Sequence, residues 1–281
     1  MGGSGRHPYT LLDVFTDRPL AGNGLAVVHD ADGVDDATML AFAKETRLVE
    51  TTFVQSSEVA DYRNRIWTPA EEIPFAGHPS LGTAVAVAIE RGEDAVEYRQ
   101  QTHAGIQPVR VERDGDRAYA SVLQEPATFG EEVDPAAIVS AVGLRPEDAH
   151  PDLPPQHVST GLPTLIAPLA NVAALSRARK DQAAVAALAG GTFNLYLCAV
   201  DGRAASARSF PSELEGEDPA TGSAAGPLLA YLHERTGRDR VEVAQGVEMG
   251  RPSRLVAEME DGRPRVGGDV VVLVTGTLRL P

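Results

Sequence analysis

The chain has 281 residues, of which 43% are hydrophobic and 23% charged, a composition typical of a globular protein with a substantial core. Its net charge of −15 and the lack of any basic run argue against a nucleic-acid-binding protein. Its apolar runs are too short for a membrane span, and we expect neither a signal segment nor a membrane partner. The single cysteine, Cys198, cannot form an internal disulfide, which favours the cytoplasm as the compartment.

The first half is predicted to be a set of strands around one apolar helix. MGGSGRHP is interpreted as a flexible leader outside the fold. Asp35 or Asp36 is the expected N-cap of a first helix. The second helix, after Gly77-His78-Pro79, is apolar on every side and should be buried all round. Alternating, β-branched segments predict the strands, which are YTLLDVFT, LAVVH, LVETTFVQ, RNRIWT, EYRQQT, IQPVRVER and RAYASVLQ.

The second half is predicted to repeat this arrangement. Residues 124–137 are turn-rich and acidic, which indicates the boundary. A helix with Asp181 as its N-cap follows, and the expected strands are LPTLIAPL, TFNLYLCAV, ARSFP, VEVAQGVEM, SRLVAEME, RPRVGG and DVVVLVTGTLRL. The predicted domains are 8–125 and 135–265, and the final strands, 266–280, could return to the N-terminal half.

One stretch occurs twice at half-chain spacing, in residues 75–91 and 217–235. His78-Pro79 in the first copy corresponds to Asp218-Pro219 in the second, 140 positions later, and Thr83 corresponds to Ser223. Each copy has a polar residue, a proline, a small-residue turn and an apolar helix. We therefore expect both helix N-termini, with their unpaired N–H groups, to face a shared cleft.

Glu50 is the candidate general base. It lies in a predicted buried strand, between Val49 and Thr51, where desolvation would raise the pKa of its carboxyl toward neutrality. The alternative is a solvent-exposed glutamate on an edge strand, which is the commoner environment of this residue type.

His78 and Asp218 are candidates because they occupy equivalent places before the two apolar helices. Taken singly, each has a plainer explanation, as a structural histidine and as an N-cap. Ser223 and its equivalent Thr83 fit either a cap or an anion ligand. The seven histidines have no metal-ligand spacing, and Cys198 sits in an apolar run typical of a core position, so we predict no metal and no nucleophilic thiol.

Four segments in order resemble the signature segments of the PhzF-like phenazine-biosynthesis isomerases: DVFTDRPLAGNGLAVV, ETTFV, TPAEEIPFAGHPSLGTA and EDPATGSAAGPLLAYL. The closing GGDVVVLVTGTLRL is similar to that family's last strands. The resemblance implies an α+β, diaminopimelate-epimerase-like fold. That fold has two pseudo-symmetric halves, each a curved, mostly antiparallel sheet around a central buried helix, with the active site between the halves.

The resemblance also implies roles for individual residues. Glu50 matches the family's acid/base glutamate, and His78 and Asp218 match its other catalytic positions. The implied substrate-binding residues are Ser223, Gly77, Gly222, Thr221 and Ser80. Relatives on this fold that use two cysteines near the helix starts provide no model, because this chain has no thiol at those places.

The sequence thus predicts a cofactor-independent isomerase that shifts a proton between carbons of a small unsaturated, amino-acid-like acid in secondary metabolism. A homodimer is expected from the resemblance alone. Two alternatives stay open: an amino-acid racemase or epimerase without catalytic cysteines, and a non-catalytic small-molecule-binding protein. The position equivalent to Glu50 in the second half is Gly190, which favours a one-base shift.

Overall fold

A computed structural model of the chain divides into two compact units. Unit 1 comprises Met1–Leu123 and Gly267–Pro281, and unit 2 comprises Gln124–Val266. The predicted N-terminal range, 8–125, extends two residues beyond the first segment of unit 1, and residues 126–134, left between the predicted halves, belong to unit 2. The structure describes residues 5–115, 117–189, 192, 194–212 and 216–281.

In its described residues, unit 1 contains eight strands, two helices and most of the chain's last strand. The strands are β1 (Gly5–Val14), β2 (Asn23–Val28), β3 (Glu50–Gln55), β4 (Tyr62–Trp67), β5 (Glu72–Ile73), β6 (Ala95–Thr102), β7 (Gly105–Asp114) and β8 (Arg117–Leu123). The helices are α1 (Asp36–Thr46) and α2 (Gly77–Arg91), and the last strand of the chain, β16 (Arg263–Leu280), begins in unit 2 and ends here.

Eight strands of unit 1 close into a barrel around α2. Their order is β1-β2-β3-β4-β6-β7-β8-β16, and β16 pairs with β1 to complete the ring. The β2–β3 and β4–β6 pairs are parallel, and the other described pairs are antiparallel. Every residue of α2 from Gly77 to Ala88 is buried, which confirms the prediction of a helix without a solvent face.

The part of unit 2 that the structure describes contains seven further strands, four α-helices and a short 3₁₀ turn at Pro146–Asp148. The strands are β9 (Thr128–Glu132), β10 (Gln156–Ser159), β11 (Pro163–Pro168), β12 (Asn194–Asp201), β13 (Ala204–Pro211), β14 (Arg240–Gln245) and β15 (Ser253–Glu260). The helices are α3 (Pro135–Ala141), α4 (Val172–Arg177), α5 (Gln182–Ala189) and α6 (Gly222–Thr236).

Helices cover both faces of the sheet of unit 2. Its order is β15-β14-β13-β12-β11-β10-β9, with parallel β11–β12 and β13–β14 pairs. Helix α6 packs against β10, β11, β14 and β15 and is buried from Gly222 to Leu232. Leu165, Leu195 and Phe210 face the other way and form a core with the helices α3, α4 and α5.

Antiparallel and parallel strand pairs follow one another in the same order in the two units. From β1 through β7 the successive pairs run antiparallel, parallel, antiparallel, parallel, antiparallel. From β10 through β15 the same order recurs. In each unit the buried helix lies in the chain between the fourth and fifth strands of this series.

Three sequence predictions about the strands are wrong. Gly5–Pro8 of the supposed leader belong to β1, where the backbone pairs with β16 and so obtains its hydrogen bonds. The stretch 124–137 holds β9 and the start of α3. RPRVGG and DVVVLVTGTLRL form one continuous strand of 18 residues, because the glycine pair between them makes no turn.

Other differences concern short elements and undescribed positions. Helices α3 and α4 and strand β10 were not predicted, since they are short and lack a clear periodicity. Gly190, the predicted equivalent of Glu50 in the second half, lies outside the described residues. Across the part of the chain that the structure describes, no helix combines the length and apolar character of a membrane span.

Candidate functional site

Glu50 is buried at the start of β3. It is 6% exposed, and its strand lies between β2 and β4, with Glu50 in register with Leu25. The strand is therefore internal, and the alternative of an exposed edge-strand glutamate is wrong. A carboxyl group in such a place has little solvent to stabilise its charge, and partners within the protein decide its chemistry.

His78 faces Glu50 from the second residue of α2. Its imidazole Nε2 lies 3.3 Å from Glu50 Oε2, and its ring is 4% exposed. On the other side of the ring, Asn23 Nδ2 donates to His78 Nδ1 at 3.1 Å. Unit 1 thus brings together two of the predicted catalytic residues and adds Asn23, which the sequence reading had quoted only as part of a motif.

Burial lowers the pKa of the His78 imidazole to about 3. Desolvation is the cause, because a charged ring would lose its hydration inside the barrel. At neutral pH the ring is therefore uncharged, and the 3.3 Å contact joins a neutral imidazole to a carboxyl group rather than two full charges.

The low pKa of His78 predicts acid sensitivity. The unfolded chain takes up a proton near pH 6.5 and the folded chain only near pH 3, so stability falls as the pH drops through this window. We expect His78 to contribute a loss of about 2 kcal/mol between pH 7 and pH 5. Urea unfolding at both pH values, compared with His78→Gln, measures it, because buried His29 contributes to both proteins alike. Equal losses in the two proteins would contradict the prediction.

The remaining predicted residues of unit 1 form the start of α2. Gly77 is its first residue and is buried. Ser80 is fully buried, and its hydroxyl donates to the Ala76 carbonyl at 2.8 Å, so its hydrogen is committed to the helix. Ala76, the N-cap, provides no side-chain cap for the first N–H groups.

In unit 2, Gln245 fixes the segment that carries Asp218. Its Nε2 donates to the Asp218 carbonyl at 2.7 Å and to Thr221 Oγ1 at 2.9 Å. Its Oε1 accepts from the Tyr196 hydroxyl at 2.8 Å and from the Thr221 N–H at 3.2 Å. The Thr221 hydroxyl in turn donates to Asp218 Oδ2 at 2.5 Å. The buried amide therefore sets the backbone of this turn and the direction of the threonine hydroxyl.

Ser223 and Thr83, equivalent in the repeat, have different surroundings. Thr83 is fully buried, and its hydroxyl is 2.8 Å from that of Thr52. Ser223, the second residue of α6, is 7% exposed, and among the described residues its hydroxyl has no hydrogen-bond partner. Gly222 begins the helix, and the N-cap Thr221 makes no side-chain cap. The Ser223 hydroxyl is thus placed beside uncapped N–H groups, an arrangement that suits an anionic ligand.

Each unit also has a buried arginine that holds the segment before its central helix, a feature absent from the sequence predictions. In unit 1, Arg65 makes a two-pronged ion pair with Glu72 and lies 5.5 Å from the centre of the Trp67 ring. The signal was present in the sequence as an arginine two residues before an aromatic residue, in RIW and again in RSF.

The unit 2 counterpart is Arg208, which is 4% exposed. It forms a two-pronged pair with Glu217, donates to the carbonyls of Leu175 and Ala178, and lies 5.1 Å from the Phe210 ring centre. Since Glu217 immediately precedes Asp218, this pair anchors the Asp218 segment to the strand β13.

Arg208→Leu should destabilise unit 2 strongly. It leaves Glu217 and two carbonyls without their donor, and breaking a buried pair in this way typically costs about 3–5 kcal/mol. Arg254→Leu is the matched control, because Arg254 is 56% exposed in its pair with Glu242 and should cost less than about 1 kcal/mol. Urea unfolding of both variants provides the comparison, and similar losses would show that the buried pair has no special weight.

Comparison with known proteins gives a consistent family assignment. The family model described as phenazine biosynthesis-like protein, PhzC-PhzF, matches residues 12–277. Trans-2,3-dihydro-3-hydroxyanthranilate isomerase of Pseudomonas aeruginosa is 37% identical over 270 residues, covering 92% of this chain and 93% of the relative.

Solved structures agree with this assignment. A predicted epimerase from Pseudomonas aeruginosa is 40% identical, with a TM-score of 0.86 over 97% of this chain and 99% of its own. A hydroxyproline epimerase from Agrobacterium vitis, 13% identical, has a TM-score of 0.66 over 98% of this chain and 92% of its own, and it shows a common fold only. The chain therefore belongs to the phenazine biosynthesis-like family, and it is an enzyme, an isomerase of the PhzF type.

Proposed function

We propose that this protein is a cofactor-independent isomerase that moves a proton between carbons of a small, unsaturated amino acid in secondary metabolism. The observation that carries the proposal is the buried carboxyl of Glu50, which lies 3.3 Å from the neutral imidazole of His78. The first compound to test is trans-2,3-dihydro-3-hydroxyanthranilate, the substrate in the name of the Pseudomonas aeruginosa relative.

The reaction needs one carboxyl group that acts first as a base and then as an acid. The Glu50 carboxylate takes a proton from a substrate carbon, and the electron pair left behind spreads into the adjacent double bonds. The protonated carboxyl then returns the proton to another carbon of the same π system, so the double bonds shift and Glu50 is regenerated. No electrons enter or leave, and the product is an isomer of the substrate.

The other predicted residues would bind the substrate and stabilise its developing charge. We assign Asp218 to the substrate's amino or hydroxyl group and the Ser223 hydroxyl to its carboxylate, together with the first N–H groups of α6 at Gly222. In unit 1, the N–H groups at the uncapped start of α2, at Gly77, would likewise bind negative charge on the substrate. Thr221 orients Asp218 through its hydroxyl. Ser80 supports the start of α2 through its hydrogen bond to the Ala76 carbonyl.

Epimerisation is the less favoured reaction. It would need a second base on the opposite face of the substrate carbon, either His78 or Asp218. A histidine whose pKa is lowered to about 3 is too weak a base for that role near neutral pH, and we assign Asp218 to substrate binding instead. The low pKa instead suits His78 as a neutral hydrogen-bond donor.

An assay by NMR in deuterium oxide tests the function. With trans-2,3-dihydro-3-hydroxyanthranilate and related unsaturated amino acids, isomerisation predicts a product with shifted double bonds and any solvent label at the carbon that receives the proton. Label at a stereocentre of unchanged substrate would establish epimerisation instead. Binding of the acids without product or exchange would support a non-catalytic binding protein.

We also propose the wider setting expected from the sequence: pseudo-symmetric diaminopimelate-epimerase-like halves, a cytoplasmic location, a homodimer, and no nucleic-acid or membrane partner. The repeated order of pairing senses supports the first, and the single buried cysteine suits a reducing compartment. Light scattering coupled to size-exclusion chromatography would test the dimer, for which a monomeric mass would be contrary evidence.

A further inference from the structure

We propose that Asn23 is a positioning residue: it holds His78 in the tautomer with hydrogen on Nε2, so that a proton taken up by Glu50 cannot pass to the histidine. The second part of this statement rests on the proposed function, whereas the tautomer itself does not. The starting observation is that Asn23 is hydrogen-bonded to the imidazole at Nδ1, while Glu50 Oε2 lies 3.3 Å from Nε2 on the other side of the ring.

The hydrogen bond between Asn23 and His78 fixes the tautomer. Asn23 Nδ2 is an amide nitrogen that can only donate, and it lies 3.1 Å from His78 Nδ1. Nδ1 must therefore be the bare, accepting nitrogen, and the single hydrogen of a neutral imidazole resides on Nε2. Nε2, the nitrogen that carries this hydrogen, lies 3.3 Å from Glu50 Oε2.

Burial makes this arrangement stable. Asn23 is 1% exposed, at the first residue of β2, and His78 is 4% exposed. Water therefore has little access to compete for Nδ1. Asn23 is paired with Val14 of β1, so the backbone that carries the amide is held by the sheet on that side.

The tautomer has a consequence for a one-base proton shift. A carboxyl that has taken a proton from carbon must keep it until the second carbon is in place. If Nε2 were the bare nitrogen and Nδ1–H faced a carboxylate instead of Asn23, that negative charge would raise the pKa of the imidazole, and Nε2 could then remove the proton from Glu50. With hydrogen on Nε2, the only basic nitrogen of His78 is Nδ1, which is occupied by Asn23. The migrating proton then stays on Glu50 and returns to the substrate.

The first test reads the tautomer in the ligand-free protein. Nitrogen-15 NMR of histidine-labelled protein distinguishes the bare nitrogen from the N–H of each ring, and the His78 signals are assigned by their loss in His78→Gln. We expect hydrogen on Nε2 in the wild type. In Asn23→Asp, the new carboxylate accepts from Nδ1, so the hydrogen should move to Nδ1. Wild-type protein with hydrogen on Nδ1 would overturn the proposal, whatever the protein's activity.

The matched control is Asn64→Asp. Asn64 is also 1% exposed in unit 1, but its amide donates to Gln100 rather than to His78. The Asn64→Asp variant measures the general cost of placing a carboxyl group at a buried asparagine position. Its His78 tautomer should be the same as in the wild type. Asn23→Leu provides a second variant if Asn23→Asp does not fold: without a donor at Nδ1, both tautomers should be populated.

The second test follows the proton during turnover. With substrate deuterated at the carbon that loses its hydrogen, wild-type enzyme in ordinary water should retain label in the product, and Asn23→Asp should lose most of it. We expect kcat of this variant to fall about 10- to 100-fold, as when other second-layer partners of a catalytic group are removed. Unchanged retention of the label in a variant with the altered tautomer would refute the proton-retention role. Failure to turn over any substrate would instead count against the proposed function, leaving the tautomer result decisive for Asn23.

Discussion

Replacing Glu50 by glutamine should lower kcat by about 10²- to 10⁴-fold, the range typical of a lost general acid–base residue. Glutamine has nearly the same shape, so it can keep the close approach of the residue 50 side chain to His78 Nε2. It cannot take up a proton from carbon, however. The variant should therefore bind substrate and fold as the wild type does, and only the chemical step should be lost.

Three measurements separate this outcome from simple damage. Turnover of the identified substrate by NMR gives the rate, a binding titration gives the affinity, and urea unfolding gives the stability. Glu58→Gln is the control, since Glu58 is an exposed residue on the segment after β3 and should leave all three unchanged. Wild-type turnover by Glu50→Gln would rule out the one-base mechanism, even if every other residue behaved as expected.

The burial of Glu50 could be predicted because its neighbours determine it. A run of β-branched and aromatic residues on a strand between two other strands has no solvent side, so the polar member is buried with the rest. The central helices were predictable for a similar reason: α2 and α6 are apolar on all sides, and only the interior of a barrel or sheet layer accommodates such a helix.

The groups that orient the site were not predictable from local patterns. Asn23 and His78 are 55 positions apart, and Gln245 and Thr221 are 24 apart, so only the folded chain reveals their contacts. Arg208 and Glu217 are closer in sequence, but a charged pair reads as a solvent-exposed pair until its burial is known. The leader was misjudged because Gly5 has no strand signature, and β16 supplies its partner from the far end of the chain.

Gly246→Ala should be the most destabilising of the small substitutions near the Asp218 segment. Gly246 follows β14 directly and has φ of +73°, a conformation that costs a residue with a Cβ about 1–2 kcal/mol. A Cβ there would lie 2.4 Å from the Arg251 carbonyl oxygen and 2.6 Å from that of Pro219. Both are backbone atoms, so neither can move aside as a flexible side chain would. Overpacking of this kind typically adds about 1–3 kcal/mol, for a total loss of roughly 2–5 kcal/mol.

Gly250→Ala isolates the steric part of that loss. Gly250 has nearly the same backbone conformation, with φ of +72°, but a Cβ there would meet no atom within 4 Å. It should therefore cost only the conformational 1–2 kcal/mol or so. The excess loss in Gly246→Ala, measured by urea unfolding, then reports the contacts with the Arg251 and Pro219 carbonyl oxygens, and Pro219 is the residue after Asp218. Because relief of the Pro219 contact would shift the Asp218 segment, we expect the Gly246 variant to raise KM as well, and the Gly250 variant to leave it unchanged. Equal stability losses and equal KM values in the two variants would mean that the segment tolerates displacement, and Asp218 would then need no fixed position to bind substrate.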